Sequence, residues 1–200
     1  MSTAIGTNNS ATGSHSFSLG YATDASGSYA HAIGFHVTAS GSNSFVIGKG
    51  KQLPIFGYIP LNNSVNNSLM VGFGTATPAL FVGPANSSYP FGRVGIGTST
   101  PQSELAVNGK VTAKELELSV TGWPDFVFDS NYKLMSVEET ERFIEKHKHL
   151  PGVPSAIEVE ANGLNVGEMS KIMMKKIEEL TLYVISLKKE NEELRKRLDN

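Results

Sequence analysis

The sequence predicts a mainly β chain in which a repetitive β-roll and a β-rich transition region are followed by short helices and a C-terminal parallel coiled coil. Three observations carry this reading. A glycine recurs every fourteen residues at Gly6, Gly20, Gly34 and Gly48, and the blocks between align without a gap. A second phrase, residues 71–78, returns at residues 94–101. The C-terminal segment carries apolar residues at alternating steps of four and three. A fourteen-residue unit cannot enclose a core alone, so it must be buried by stacking on its neighbours or on other chains.

Four segments follow, at residues 1–50, 51–120, 121–164 and 165–200. In the first, Ala11-Thr12-Gly13-Ser14 reappears as Ala25-Ser26-Gly27-Ser28 and as Ala39-Ser40-Gly41-Ser42. Between these blocks the residues alternate with period two, the pattern of a strand. His15, Phe17 and Leu19 share a face with Tyr29, His31 and Ile33 and with Asn43, Phe45 and Ile47. Ser16, Ser18, Ala30, Ala32, Ser44 and Val46 take the other face. Small side chains let two backbone walls approach, so the small face closes a flattened roll and the bulky one is left for other subunits or solvent. The repeat glycines are expected at the corners, where positive φ is cheap for them, with second strands near residues 21–23 and 35–37. The strict register and regularly placed Leu, Ile, Phe and Val argue against reading this Ser, Asn and Gly-rich half as disordered.

These repeats, in the stretch SHSFSLGYATDASGSYAHAIGFHVTASGSNSFVIG, resemble the left-handed β-roll head of trimeric autotransporter adhesins. The resemblance covers roughly the first fifty residues and implies an intertwined homotrimer.

After Lys51 the register is expected to lapse through residues 53–60 and an Asn-rich run at 62–67. Val71-Gly72-Phe73-Gly74-Thr75-Ala76-Thr77-Pro78 and Val94-Gly95-Ile96-Gly97-Thr98-Ser99-Thr100-Pro101 are each followed by a short apolar strand, Leu80 to Val82 and Leu105 to Val107. The flanking glycines point to close backbone approach, and the closing proline ends strand pairing. The phrase resembles a motif of phage tail fibres and surface fibres. It lacks the third glycine and following helix of a dinucleotide fingerprint.

From Gly122 the chemistry changes. Residues 123–128 form an aromatic segment expected to dock. Ser136 with Glu139 makes a capping box for a helix to about Lys146, and Ser155 with Glu158 makes another, closed by Gly163. Asn165 with Glu168 opens a third helix, and Pro151 and Pro154 separate the first two. That third helix carries Met173, Ile177, Leu180, Val184, Leu187, Asn191, Leu194 and Leu198 as a heptad seam, with Ile177, Val184, Asn191 and Leu198 at a and the others at d. At 1.5 Å per residue it spans roughly 50 Å, too long and too charged outside the seam to fold back on a small body. Glu190 at g can pair with Arg195 at the next e. On heptad rules Asn191 and the β-branched a residues lean toward two strands; the roll resemblance favours three, because the head imposes its symmetry on the tail. Leu182 and Ile185 lie outside the seam, as scattered surface apolars or as contacts to the capped helices.

Residues 121–187 resemble a C-terminal module of fibre-like proteins from Bacteroidetes phages and their hosts. Their layout is similar to that of endosialidase-type intramolecular chaperones, whose helices follow a trimeric β-fibre and assist its assembly. The self-cleavage serine of those chaperones has no counterpart, since Ser130 follows Asp129, so no autoproteolysis is expected.

Composition narrows the function. Before Arg93 the only ionised side chains are Asp24, Lys49 and Lys51, and the net charge is −2. No basic footprint for nucleic acid exists, nor an apolar window for a membrane span or signal peptide. With no cysteine, thiolate metal sites and disulfides are excluded. His147 and His149 read as helix-end histidines, and His15, His31 and His36 as stacked imidazoles more than an ion site. Asp125 and Asp129 read as surface or capping carboxylates, not a glycosidase pair. No cofactor and no enzymatic activity are expected. The expected function is a fibre or spike subunit of a phage virion or phage-tail-like particle that binds the particle base at one end and a bacterial surface glycan or protein at the other. The alternatives are a bacterial cell-surface adhesin, a fibre-borne glycan depolymerase and a pure assembly module.

Overall fold

The computed structural model describes residues 1–199, so Asn200 at the end of the expected coil lies outside the described residues. The chain forms two compact units, Met1–Ala113 and Lys114–Asn200.

The first unit is a β-solenoid of about eight turns over residues 3–107. Its strands are β1 (Thr3–Thr7), β2 (Phe17–Tyr21), β3 (Asp24–Ala25), β4 (His31–Phe35), β5 (Val37–Ala39) and β6 (Phe45–Lys49). They continue as β7 (Lys51–Gln52), β8 (Tyr58–Ile59), β9 (Leu61–Asn63), β10 (Leu69–Phe73), β11 (Leu80–Gly83), β12 (Arg93–Ile96) and β13 (Leu105–Val107). The main wall runs β1-β2-β4-β6-β10-β11-β12-β13, and the facing wall is β3-β5-β9. Pairing is parallel from β1 to β10, antiparallel across β10-β11-β12, and parallel again at β12-β13.

The small face lies inside, as its chemistry requires. Ser16, Ser18, Ala30, Ala32, Ser44 and Val46 are all buried. Along the axis the inward residue grows from Ser18 through Ala32, Val46 and Met70 to Phe81, so the lumen widens toward β11. Asn63, fully buried, is satisfied inside: its Nδ2 donates to Phe45 O at 3.1 Å and Ser68 O at 3.3 Å, and its Oδ1 accepts from Val65 N and Ser68 Oγ.

The repeat glycines do not turn the chain. Strands β2 and β4 run on through Gly20 and Gly34 to Tyr21 and Phe35, so the second strands begin at Asp24 and Val37, later than expected. The corners fall at Ala22 and His36, with φ of 50° and 51°. The opposite corners fall at His15, Tyr29, Asn43 and Asn67, with φ of 51–58°. These left-handed residues are unfavourable singly. From Ala22 onward they are held because the corner amide donates to the preceding coil, as Tyr29 N does to Ser14 O at 2.7 Å and His36 N to Tyr21 O at 2.9 Å. What the glycines supply is proximity: Gly6, Gly20, Gly34, Gly48 and Gly72 stand in register. A Cβ on any of the first four would come within 3.0 Å of the next glycine's carbonyl oxygen, closer than Cβ atoms pack.

Gly72 belongs to the second sequence phrase, so the two repeats share one wall. The expected lapse of register is confined to an excursion over residues 50–60, built on the antiparallel pair β7-β8. At Leu61 the stack resumes with Val37↔Leu61, and the Asn-rich run is an ordinary coil. Within the phrases, Gly74 and Gly97 take φ of 73° and 68°, and Pro78 and Pro101 are buried. A Cβ at Gly74 would meet nothing within 4 Å, so that glycine is needed for its dihedral and not for close approach.

In the second unit, α1 (Val137–His147), α2 (Ala156–Asn162) and α3 (Val166–Leu198) begin where the caps placed them. Both capping boxes are complete, and Gly163 closes α2 with φ of 75°. The aromatic segment forms a 3₁₀ turn over Asp125–Phe128 in which Val127 is buried while Trp123, Phe126 and Phe128 remain half-exposed. The expected docking is therefore made by the valine.

Gly34→Ala is expected to destabilise the solenoid by on the order of 3 kcal/mol or more, because strain at positive φ adds to a backbone clash. Gly74→Ala should cost only about 1 kcal/mol, the left-handed penalty alone. Guanidinium unfolding of the two variants separates these; equal losses would contradict the stacking role of the glycine column.

Candidate functional site

The parity of the strands decides what the solenoid shows to its surroundings. Three columns face outward from the main wall. One runs Phe17, His31, Phe45, Leu69 and Val82; a second runs Ile5, Leu19, Ile33, Ile47 and Val71; a third runs Tyr21, Phe35, Lys49 and Phe73. Lys49 is the one charged side chain in these columns. Ile5, Phe45, Ile47 and Phe73 are exposed, Phe73 at 72 %. The facing wall turns Asp24, Thr38 and Asn62 outward instead. One side of the roll thus suits water and the other does not.

The histidines stack on rings of the next coil or of the excursion. His15 lies 5.1 Å from Tyr29 at 5°, His31 4.3 Å from Phe45 at 4°, and His36 4.3 Å from Tyr58 at 9°. Lys49 Nζ sits 5.7 Å over Phe35. The excursion projects Ile55 and Phe56 into solvent, Phe56 at 92 %.

In the second unit the heptad residues remain together on one open stripe. Met173, Ile177, Leu180, Val184, Leu187 and Leu194 are 49–61 % exposed, and Leu198 more so. Asn191 is exposed too, its Nδ2 donating to Leu187 O at 2.8 Å. The outer face of α3 and the g flank beside the stripe are the sides used within the unit. Lys171 donates to Thr121 O at 3.0 Å, Tyr183 donates to Met135 O, and Tyr132 donates to Glu179. Glu179 also accepts from Lys176 at 2.6 Å, while Lys175 lies over the rings of Phe126 and Tyr132. Burial opposes the charge on Glu179, but the hydrogen bonds from Lys176 and Tyr132 more than offset it and hold the carboxyl below its usual range. Burial, then the Glu179 hydrogen bond, pushes the Tyr132 phenol up. Leu182 is half-buried and Ile185 exposed.

This latch was invisible to sequence reasoning, since Tyr132 and Glu179 are 47 residues apart; the Tyr in the polar strap of residues 129–136, between the 3₁₀ turn and α1, was the available signal. Glu178 was also missed: it is buried at a heptad b position, with Oε2 lacking a hydrogen-bond partner.

Asp125 opens the 3₁₀ turn and Asp129 closes it, both exposed. His147 and His149 both pack on Phe143. Among the described residues no group of three or more His, Asp or Glu is placed to hold a metal ion, and no helix is long and apolar enough to cross a membrane. Comparison with known proteins finds no matching family model, no matching curated protein and no matching solved structure.

The carboxyls of Glu139 and Glu158 are held below their usual range by the backbone amides of Ser136 and Ser155. Since folding depresses these carboxyls and Glu179, their contribution is complete above about pH 4.3, the unfolded value, and is lost as pH falls through the lower folded values. Helical circular dichroism should therefore decline below about pH 4, with Tyr132→Phe starting about 1 kcal/mol less stable at neutral pH. A helical signal indifferent to acid would contradict the capping account.

Proposed function

We propose that this chain is the subunit of a homotrimeric attachment fibre or spike on a phage virion or phage-tail-like particle. In this reading the solenoid forms the shaft, left-handed and wrapped with two others about a common axis. The heptad stripe of α3 holds three parallel copies in register. One end joins the particle base and the other contacts a glycan or protein of a bacterial surface.

The observation that carries this reading is that both units present periodic, nearly uncharged apolar stripes. A partner of different chemistry would match such a ladder by accident; an identical copy matches it rung for rung. Covering a large apolar side chain contributes about 1.5–3 kcal/mol. The seven apolar seam residues, already half-covered, would therefore contribute roughly 5–10 kcal/mol per chain, against an association cost of about 4–15 kcal/mol. The seam alone is marginal, which makes the outer wall of the solenoid the larger contributor. Repetition about an axis also turns weak surface contacts into avidity.

Light scattering should give three times the 21.5 kDa chain mass, and the double variant Ile177→Asp/Val184→Asp should shift this toward monomer or disordered aggregate. A wild-type chain that is monomeric at micromolar concentration would sink the proposal. Labelled trimer should bind cells of a susceptible bacterium and compete with particle adsorption.

A further inference from the structure

A cavity of about 500 Å³ opens along α3 beside the first heptads of its stripe. The strap and the turn before α2 wall it with Tyr132, Met135 and Leu150, and α3 walls it with Ile177, Leu180 and Tyr183. In heptad terms the α3 residues nearest the stripe are Lys176 and Tyr183 at g, Ile177 at a and Leu180 at d. None of the e positions, Met174 and Thr181 among them, lines it. The cavity therefore belongs to the g flank.

We propose that this cavity is completed by a second copy of the chain, whose e flank covers it with Thr181 of the partner subunit. The inference rests on the parallel association proposed above. In a parallel coil the g flank of one helix lies against the e flank of the next, with g facing the e five residues on. That step pairs Lys176 with Thr181 of the partner subunit, level with the opening, just as it pairs Glu190 with the partner's Arg195.

The chemistry agrees along the helix. Beside the cavity the e positions are Met174 and Thr181, both uncharged; beyond Tyr183, where no cavity remains, they become Lys188 and Arg195. Thr181 is exposed in the single chain, and its hydroxyl is already used on Ile177 O at 2.8 Å, leaving the methyl for the neighbour. Apart from Lys133, the polar side chains lining the cavity are likewise engaged: Tyr132 and Lys176 with Glu179, Lys175 over the rings of Phe126 and Tyr132, Thr140 with Ser136 O and Tyr183 with Met135 O. What remains open is an apolar recess suited to an uncharged side chain. Strap, turn and coil then form one unit across the subunit boundary.

The absence of cysteine from the chain makes the test unambiguous. Full-length Leu150→Cys and Thr181→Cys chains are co-expressed, their assembly checked by light scattering, and the thiols oxidised. Mass spectrometry should find a linkage between positions 150 and 181, which can arise only between two chains. Thr181→Glu should weaken association at least tenfold, while Lys189→Gln at an f position leaves it unchanged. Assembled protein without the 150–181 linkage, or a Thr181→Glu variant that associates normally, would overturn this inference and leave the coil intact. Monomeric protein throughout would remove the coil and the inference together.

Discussion

Everything in the solenoid answers to the spacing of its hydrogen-bonded coils, which parallel pairing fixes at roughly 4.8 Å. At that distance each residue is judged against its equivalent in the next coil. Equivalent positions therefore fall into columns with one chemical requirement apiece. The glycine column exists because a Cβ would strike the carbonyl above it. The aromatic and imidazole rings stack because successive outward side chains have no other place to lie. The corners tolerate left-handed Tyr29 and His36 because each coil lends the next its hydrogen bonds.

The same constraint makes the roll two-sided. Where small residues fill the interior, in the first coils, bulky ones go outward, and they do so on the main wall while Asp24, Thr38 and Asn62 occupy the other. The second unit reaches a comparable division by different means. Its helix α3 spends one flank on the strap through Tyr132, Tyr183 and Lys171, and keeps the heptad stripe open. Two structural solutions, one built on period two and one on 3.5, leave ordered apolar ladders unfilled.

Much of this was legible in the residues. Alternation fixed which face of each strand is buried, and the Ser-x-x-Glu pairs fixed the helix starts, because both signals are local and repeated. The long-range features were not. The corner positions were misplaced because glycine permits two readings, turning and proximity, and only the neighbouring coil distinguishes them. The continuity of the wall through Gly72 was hidden by the excursion at residues 50–60, which breaks the count in sequence but not in space. For the candidate interaction faces, the seam residues were readable from spacing, whereas the recess beside Ile177 and Leu180 needed the strap to be seen folded.

That excursion has a wider consequence. Coils β6 and β10 remain paired rung for rung although ten more residues than usual separate their glycines, 24 against 14. Alignment is therefore enforced laterally, coil upon coil, and owes little to the length of backbone joining them. A corner of such a roll is a natural grafting point: foreign loops can be hung there, and the scaffold will close over the join.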